Sequence, residues 1–437
     1  MGAFWRVLRW GFRWWIIVPL ALFLLWETAL FQAQSLRQAS LDEIAARGEP
    51  LTTAQVAPEL PPGEPNAAVA YEAAFGFLPT IKDTDSTANL DQARALLAGQ
   101  ETGLRLLREA ARIPNCVWPI DWAASPDAIT FPHFGPLRNG SRLLALHARV
   151  LNADGKHDEA VRVCGDIFQM AEHAKQTPVF IGQLVGYAIQ GIGTDALQEC
   201  LLEDSPSPEV CRELFDQLAT VEQDEYLHRS LLTERAFGTD LFDEIRRGEP
   251  AAIEVITGTG NEPGPLNRPV LLLYRTVGRP VFELDEVSYL EYMDQVITAS
   301  QLAWPESRDR MAELAGESEE QSEIYLLSRT LMPVFGRGTL SKDRMTADFR
   351  AAQIALALKA YRTTHGAYPA SLSALEAADW KISLDPFTSK PYIYRREGEG
   401  FIVYSLGPNG LDNRGIPHAE GMSWEDGPYD IVFRCAR

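Results

Sequence analysis

The distribution of apolar residues divides the chain into parts of different character. Residues 14–31 form one apolar run, interrupted only by Glu27 and Thr28. From residue 66 to about residue 331, apolar residues recur at spacings of three and four, the period of amphipathic helices. We therefore expect a mainly α protein with an all-α domain over residues 67–335. Its predicted helices span residues 67–77, 90–112, 140–153, 157–175, 179–202, 208–219, 284–302, 306–314 and 323–331.

The apolar run has the properties of a membrane anchor. Its 18 residues, if helical, extend about 27 Å, close to the roughly 30 Å thickness of the hydrocarbon layer. Three arginines and no acidic residue precede it, which predicts a cytoplasmic N-terminus. The alternative is a cleaved signal peptide, but its candidate cleavage sites place Phe31 or Arg37 where a small residue is needed. We expect an uncleaved, single-pass signal anchor over residues 1–34, with the rest of the chain extracytoplasmic.

The segment after the anchor is rich in proline. Prolines stand at positions 50, 58, 61, 62 and 65, next to the glycines at positions 48 and 63. Proline-rich segments are stiff and extended. Residues 35–66 are therefore predicted to be a linker or stalk that separates the anchor from the helical domain.

One helical pair in the middle of the chain has the pattern of a tetratricopeptide-type hairpin. Ala148 and Ala160 stand twelve residues apart, with Gly155 at the expected turn between them. Small residues at such positions let two helices approach closely. No second copy occurs at a spacing of 34 residues, and one repeat cannot build a stacked core. A tetratricopeptide-like unit and an ordinary αα-hairpin both remain open.

The last hundred residues combine a helix with short strands. Residues 342–365 form an amphipathic pattern that Gly366 ends and that Pro369 keeps from restarting. The sequence Asp-Pro-Phe at residues 385–387 indicates a turn. Two short strands are predicted at residues 392–394 and 401–404. These features predict a small α+β domain over residues 340–437, a helix packed on an antiparallel sheet and followed by a loop rich in Asn, Asp and Gly.

This order of elements and these motifs resemble the globular domain of the major pseudopilin of type II secretion systems. The resemblance covers about a fifth of the chain. The whole layout also looks like uncharacterised membrane-anchored bacterial proteins that end in the same module. The resemblance implies a location in the bacterial inner membrane and contacts with envelope or secretion proteins. Two features depart from the pseudopilin pattern: the apolar helix lacks the processing signature Gly-Phe-x-x-x-Glu, and about three hundred residues separate it from the domain.

The resemblance also implies a calcium site in the last loop. Major pseudopilins bind Ca²⁺ there, and Ser-Leu-Gly-Pro-Asn-Gly at residues 405–410 matches the family's Ser-Leu-Gly-Ala-Asp-Gly. Hard oxygen donors, which Ca²⁺ takes in sets of six to eight, are supplied by the Leu406 backbone, Asn409, Asp412, Asn413 and Asp430. Asn409 replaces a family carboxylate. The alternative is a turn held by Asx bonds to its own backbone, without a metal.

Charge and cysteine content narrow the possibilities further. The net charge of −20 and a pI near 4.8 argue against nucleic-acid binding, since no basic patch is available for phosphates. None of the five cysteines forms a Cys-x-x-Cys pair. Cys200 and Cys211 lie about equally far from a predicted turn, so they are a disulfide candidate if the domain is extracytoplasmic. The alternative is two small buried side chains.

No catalytic motif stands out. The sequence lacks His-Glu-x-x-His, Gly-x-Ser-x-Gly and Ser-x-x-Lys, and Glu225-x-x-His228 is only half of a di-iron signature. Gly-x-Gly at residues 258–260 has no phosphate-binding context. We expect a non-catalytic envelope protein with a helical scaffold and a pseudopilin-like interaction module. The alternatives are an accessory component of a type II secretion or pilus-like system, or an extracytoplasmic hydrolase with a dispersed Asp, His and Ser site.

Overall fold

The computed structural model describes residues 2–81, 89–202, 206–220, 223–258, 264, 266–320, 322–331, 336–418 and 427–435. Over these ranges the chain is mainly helical, as predicted. The helices are α1 (Gly2–Ala46), α2 (Ala67–Phe75), α3 (Leu90–Leu97), α4 (Glu101–Ala111), α5 (Phe134–Ala153), α6 (His157–Lys175), α7 (Phe180–Leu202), α8 (Pro208–Ala219), α9 (Gln223–Arg247), α10 (Pro250–Thr257), α11 (Arg268–Arg275), α12 (Arg279–Ser300), α13 (Glu306–Glu320), α14 (Ser328–Leu331), α15 (Gly336–His365) and α16 (Ser373–Ala377). The strands are β1 (Ile393–Glu397), β2 (Gly400–Ser405) and β3 (Ile431–Cys435).

The first helix has two halves with different surroundings. Most large apolar side chains between Trp15 and Phe31 face outward, with Leu25 67 % and Phe31 72 % exposed, whereas Leu30 is buried. Among the described residues, α1 is the one helix long and apolar enough to cross a membrane. Its second half packs against α12 and buries Ala33 and Ile44. The prediction of a linker over residues 35–66 is therefore wrong for residues 35–46, which continue the helix without a break.

Residues 47–66 are also attached to the helical body. Gly48 adopts φ +73° just after α1 and so lets the chain turn out of the helix. A short 3₁₀ helix, Thr53–Val56, follows. The backbone N–H and the hydroxyl of Thr53 both donate to Asp240 Oδ2 at 2.7 Å. The proline-rich stretch is thus a strap across α9, and its prolines keep it free of regular helix.

The helical body has two main hydrophobic cores. The first lies among α2–α8 and includes Tyr71, Leu107 and Phe168. The second joins the end of α1 to α9–α14 and includes Phe242 and Met293. Within the first core, α5 and α6 pack against each other across a turn at Gly155, and Ala148 and Ala160 are fully buried where they meet. Their small side chains allow this close approach.

The C-terminal helix belongs to both the sheet and the helical body. Helix α15 packs on β2 and β3 with one face and on α7 and α8 with another. Ala351, Ala355 and Leu358 are all fully buried, as expected for a helix that is apolar on most of its circumference. The first core therefore continues across the predicted boundary near residue 340. The α+β segment is a part of the body and not a separate appendage.

The sheet consists of three antiparallel strands in the order β1-β2-β3 within the described residues. Ile393 pairs with Tyr404, and Tyr404 pairs in turn with Val432. Phe401 and Val403 of the central strand face α15 and join the first core. Ile402 and Tyr404 point to the opposite face, yet they are also buried. Something other than a helix must therefore cover that outer face.

Candidate functional site

The loop predicted to bind calcium is what covers the outer face of the sheet. Gly415 adopts φ +76°, and a side chain at this position would collide with Ile402. The Tyr404 hydroxyl donates to Asp412 Oδ1 at 3.0 Å. The guanidinium of Arg434 donates to the Gly415 carbonyl at 3.2 Å. The loop after β2 thus folds back over the central strand and is fixed there by polar contacts.

The predicted ligands are brought together in this loop, but their oxygen atoms serve the loop itself. Asn409 Oδ1 accepts from the Leu411 N–H at 2.9 Å, and Asp412 Oδ1 accepts from the Arg414 N–H at 2.8 Å. Asn413 turns its amide Nδ2 toward the Leu411 carbonyl. These are Asx-type turns, the alternative that needs no metal. Leu406 lies at the start of the loop, directly after β2.

Asp430 is the central residue of the arrangement. Its side chain is fully buried, and its two carboxylate oxygens accept from the backbone N–H groups of Asn413 (3.3 Å) and Gly415 (2.7 Å). Burial raises the pKa of Asp430, whereas the two amide hydrogen bonds lower it in part. A carboxylate in this position closes a loop of about fifteen residues by satisfying amides that would otherwise be buried without partners.

The donor set fits a calcium ion poorly in this conformation. Within the described ranges, no group of three or more His, Cys, Asp or Glu side chains could hold a metal ion. Of the five predicted ligands only Asp412 and Asp430 carry charge, and Asp412 Oδ1 and both oxygens of Asp430 already accept hydrogen bonds. An ion bound to these oxygens would share them with the loop's own donors. The calcium site stays a prediction, with a test described below.

The two cysteines of the disulfide candidate are not joined. All five cysteines are buried free thiols. The thiol of Cys200 lies close to that of Cys164 of α6, and its sulfur lies 4.0 Å from the Ala148 carbonyl oxygen. Burial raises the pKa of Cys211 to about 12, so its thiolate is not populated at neutral pH. Both residues act as small core side chains.

An aromatic cavity lies beside the loop between α4 and α5. Its volume is about 350 Å³, and Trp118, Ile129 and His133 are among its lining residues together with the acids Glu72 and Asp121. The His133 ring stacks on Trp118 with a centroid separation of 4.3 Å. Burial lowers the pKa of His133 to about 4, so the ring is neutral at physiological pH. The cavity offers apolar surface with two carboxylates at its edge.

A larger cleft lies between the helical body and the C-terminal segment. Its volume is about 850 Å³, and it is lined by both parts, including Lys342 and Arg350 of α15. Arg350 donates to the Leu384 carbonyl at 2.8 Å. Asp385, at the cleft, is committed to its own turn, since its Oδ1 accepts from Ser405 Oγ at 2.8 Å and from the Phe387 N–H at 3.0 Å. The Asp-Pro-Phe motif therefore stabilises its own turn and connects it to the end of β2 through Ser405.

Sequence reasoning missed a buried cluster of charges at the second half of α1, here called the first ion cluster. Arg37 Nε lies 3.1 Å from Glu283 Oε2, and Arg37 Nη1 lies 3.6 Å from Glu286 Oε1. Both carboxylates are almost completely inaccessible to solvent, with side-chain exposures of 1 % and 0 %. Burial raises the pKa of Glu286 to about 7, although Arg246 and Arg37 oppose this shift. The members of the cluster are Arg37, Arg246, Arg279, Asp243, Glu283 and Glu286.

A second ion cluster holds the strap. Arg235 is 1 % exposed and donates to Asp294 Oδ1 at 2.5 Å and to Glu49 Oε2 at 2.6 Å. Arg47 bonds the same two acids, at 2.8 Å and 3.0 Å. Burial would raise the pKa of Glu49, but the hydrogen bonds from Arg47 and Arg235 outweigh it and lower that pKa. The strap, α9 and α12 are thus joined where α1 ends.

The apolar run of α1 also contacts the body, through Trp26. Trp26 Nε1 donates to the Val277 carbonyl at 2.7 Å. Val277 lies two residues after the end of α11, a helix that the sequence pattern did not predict. This contact places α11 beside the end of the apolar run of α1.

Comparison of the chain with models of known protein families, with curated proteins and with solved structures finds no significant match.

Proposed function

We propose that the protein is a non-catalytic, single-pass membrane protein of the bacterial inner membrane whose extracytoplasmic body is a rigid scaffold for envelope partners. The observation that carries this proposal is the continuity of α1. One helix passes from an outward-facing apolar half, with Trp15 and Leu25 exposed, into a half that packs in the second core at Ile44. An exposed apolar helix of this length is stable in a bilayer and not in water.

The first ion cluster supports the same placement. Arg37 follows Trp26 by eleven residues, which is about 16 Å along a helix. With Trp26 in the interfacial layer, the buried charges therefore lie outside the hydrocarbon. The six charges of the cluster are balanced in sign, and its carboxylates Glu283 and Glu286 have almost no solvent access. They favour this mutual arrangement of α1, α9 and α12, because moving Arg37 away leaves the buried carboxylates with one positive charge fewer.

The described histidines support a structural role for the body. His173 is fully buried and bonds the Tyr71 hydroxyl at 2.8 Å, and burial lowers its pKa to about 4. His228 bonds Gln301, and His365 bonds the Tyr361 carbonyl. One hydrolase alternative uses the aromatic cavity with His133. That alternative predicts a hydrolase activity that H133A abolishes, whereas a scaffold has no hydrolase activity in the native chain or in H133A.

Topology is the first test of the proposal. K390C carries an exposed cysteine in the C-terminal segment, and the native cysteines are buried. A membrane-impermeant maleimide should label K390C in intact spheroplasts, while a cysteine at Gly2 should react only after permeabilisation. Labelling with the opposite sidedness would refute the proposal. A mature chain that begins beyond residue 34, measured by intact mass, would also refute it.

The partner can be sought at the same surface. A photo-crosslinking residue at position 390 should capture a specific envelope protein in membranes, whereas one at Val69, an exposed position on α2, should not. Capture of secretion-system components would identify the protein as an accessory of that machinery. Because α15 is buried on both sides, we do not propose assembly into a fibre through this helix.

A further inference from the structure

The surface formed by α11 and Val277, here called the foot, exposes an unusual amount of apolar side chain. Leu272 and Leu273 are each 60 % exposed and Val277 is 67 % exposed. Apart from α1, no described stretch of similar length exposes as many large apolar residues. Single exposed apolar residues are ordinary, but a contiguous group marks a contact surface.

The foot is rigid and preformed. The side chain of Asn267 caps the helix by accepting from the Val270 N–H at 3.1 Å. On the inner side, Leu271 is buried in the second core, and the Tyr274 hydroxyl donates to Asp285 Oδ2 at 2.8 Å. One face of the helix is therefore fastened to α12 while the opposite face is left to the outside.

The segment that contains the foot is basic in sequence, unlike the chain as a whole, although Glu262 and Glu283 flank it. Residues 263–282 contain three arginines and no acidic residue, in a protein with a net charge of −20. The side chains of Arg268 and Arg279 are 64 % and 40 % exposed, although each also pairs with an acid of its neighbourhood. An apolar face flanked by arginines is the composition of helices that lie in the headgroup layer of a membrane.

The position of the foot selects the membrane as its occupant. The hydrogen bond from Trp26 to the Val277 carbonyl fixes the foot next to the end of the apolar run of α1. Tryptophan at that end of a transmembrane helix lies in the interfacial layer. Leu272, Leu273 and Val277 then face the level at which headgroups meet acyl chains.

We propose that the foot inserts into the outer surface of the bilayer that α1 crosses and binds anionic phospholipid through its arginines. This inference rests on the proposed membrane anchoring. It gives the body two attachments to the bilayer, a crossing helix and a short helix lying in the surface. The two contacts together set the tilt of the body relative to the membrane.

The test uses the full chain in liposomes of phosphatidylethanolamine and phosphatidylglycerol. Spin labels are placed at L273C in the foot and at V69C, a control of similar exposure (66 %) on the helical body. We expect the label at L273C to be relaxed by oxygen and shielded from a water-soluble nickel chelate, and the label at V69C to show the opposite. Alkaline carbonate extraction of the same vesicles reports separately whether α1 anchors the protein.

Each outcome decides between the two claims. If the protein resists extraction but the nickel chelate reaches both labels equally, the proposed insertion of the foot is refuted and the proposed membrane anchor is not. A label at L273C shielded from both oxygen and nickel indicates a protein partner and also overturns the lipid proposal. Release of the protein by carbonate overturns the anchoring and the foot together.

Discussion

The first ion cluster makes a quantitative prediction for Arg37. Replacing Arg37 by Met removes the charge that lies 3.1 Å from Glu283 and 3.6 Å from Glu286, both of which are inaccessible to solvent. Removing one partner of a buried ion pair costs about 3–5 kcal/mol, because the remaining charge stays buried without compensation. Arg246 still pairs with both carboxylates in R37M, so we expect the variant to lower the free energy of unfolding at pH 8 by an amount at the lower end of this range, measured by urea titration in detergent.

The same variant should be sensitive to pH. Burial raises the pKa of Glu286 to about 7, and the loss of Arg37 removes an interaction that opposes this rise. Below that pH Glu286 takes up a proton, and the cluster without Arg37 is again balanced, with two positive and two negative charges. The cost of R37M should therefore shrink as the pH falls from 8 to 5.5, by at most about 1.4 kcal/mol per unit.

Two controls make the reasoning refutable. R105M removes an exposed pair in which both side chains are more than half exposed, and it should cost less than about 1 kcal/mol. R37M/E286Q should recover about 1–3 kcal/mol relative to the sum of the single changes. A cost of R37M that is no greater than that of R105M, or that is the same at both pH values, would refute the buried-charge argument.

Four further predictions concern other parts of the fold. D430A should lower the free energy of unfolding by about 1–3 kcal/mol, since it leaves the Asn413 and Gly415 amides without acceptors. The control D91A, at an exposed position, should change the free energy of unfolding by less than about 0.5 kcal/mol. Faster hydrogen exchange at Gly415 in D430A would show that the loop is the origin of the loss. If the loop binds calcium, millimolar Ca²⁺ should raise the melting temperature of the full chain but not that of D412N, and an unchanged melt of the native chain would dismiss the site. Burial raises the pKa of Asp348 to about 7, above its unfolded value of 3.8, so its contribution to stability is present below pH 4 and is lost as the pH rises to 7. D348N should reduce this loss of stability and should have a higher melting temperature than the native chain at pH 8. A lower melting temperature would contradict the burial argument. The five buried thiols should not react with a disulfide reagent at pH 8 until the protein unfolds, when five should react, and a count of three would instead support the disulfide between Cys200 and Cys211.

Local sequence signals predicted local structure well. The end of α15 follows from Gly366, which adopts φ +79°, and the strands around the turn at residues 397–400 follow from their β-branched and aromatic residues. The apolar run, which is long enough to cross a bilayer, was also recognised from the sequence alone. In each case the signal and the structure it specifies lie within a few residues of each other.

The failures share a different physical cause. The second half of α1 was mistaken for linker because Arg37 stands in the middle of its buried stripe, between Ala33 and Leu41. The buried face of α9, which the sequence pattern did not delimit as a helix, alternates apolar residues such as Leu227 and Leu231 with the polar Ser230, Thr233 and Arg235, and these polar residues weaken the hydrophobic period. Both helices are held by charges from distant segments, and such pairing cannot be seen in a window of sequence.

The predicted calcium ligands illustrate the same limit. The number and type of these ligands could be predicted from the sequence. The sequence did not show that the loop must cover Ile402 and Tyr404 on the outer face of the buried strand β2. Because the loop folds over this face, its carboxylates accept hydrogen bonds from the loop's own amides.

The unbroken course of α1 also determines how far the protein can reach. A flexible tether over the 32 residues from 35 to 66 would let the body explore a radius of about 30 Å around its anchor point. The helix and the strap that occupy these positions instead fasten the body to α1. In the proposed topology, Lys390 and its surroundings would therefore stay at one height above the bilayer, and any partner would have to bind at that height.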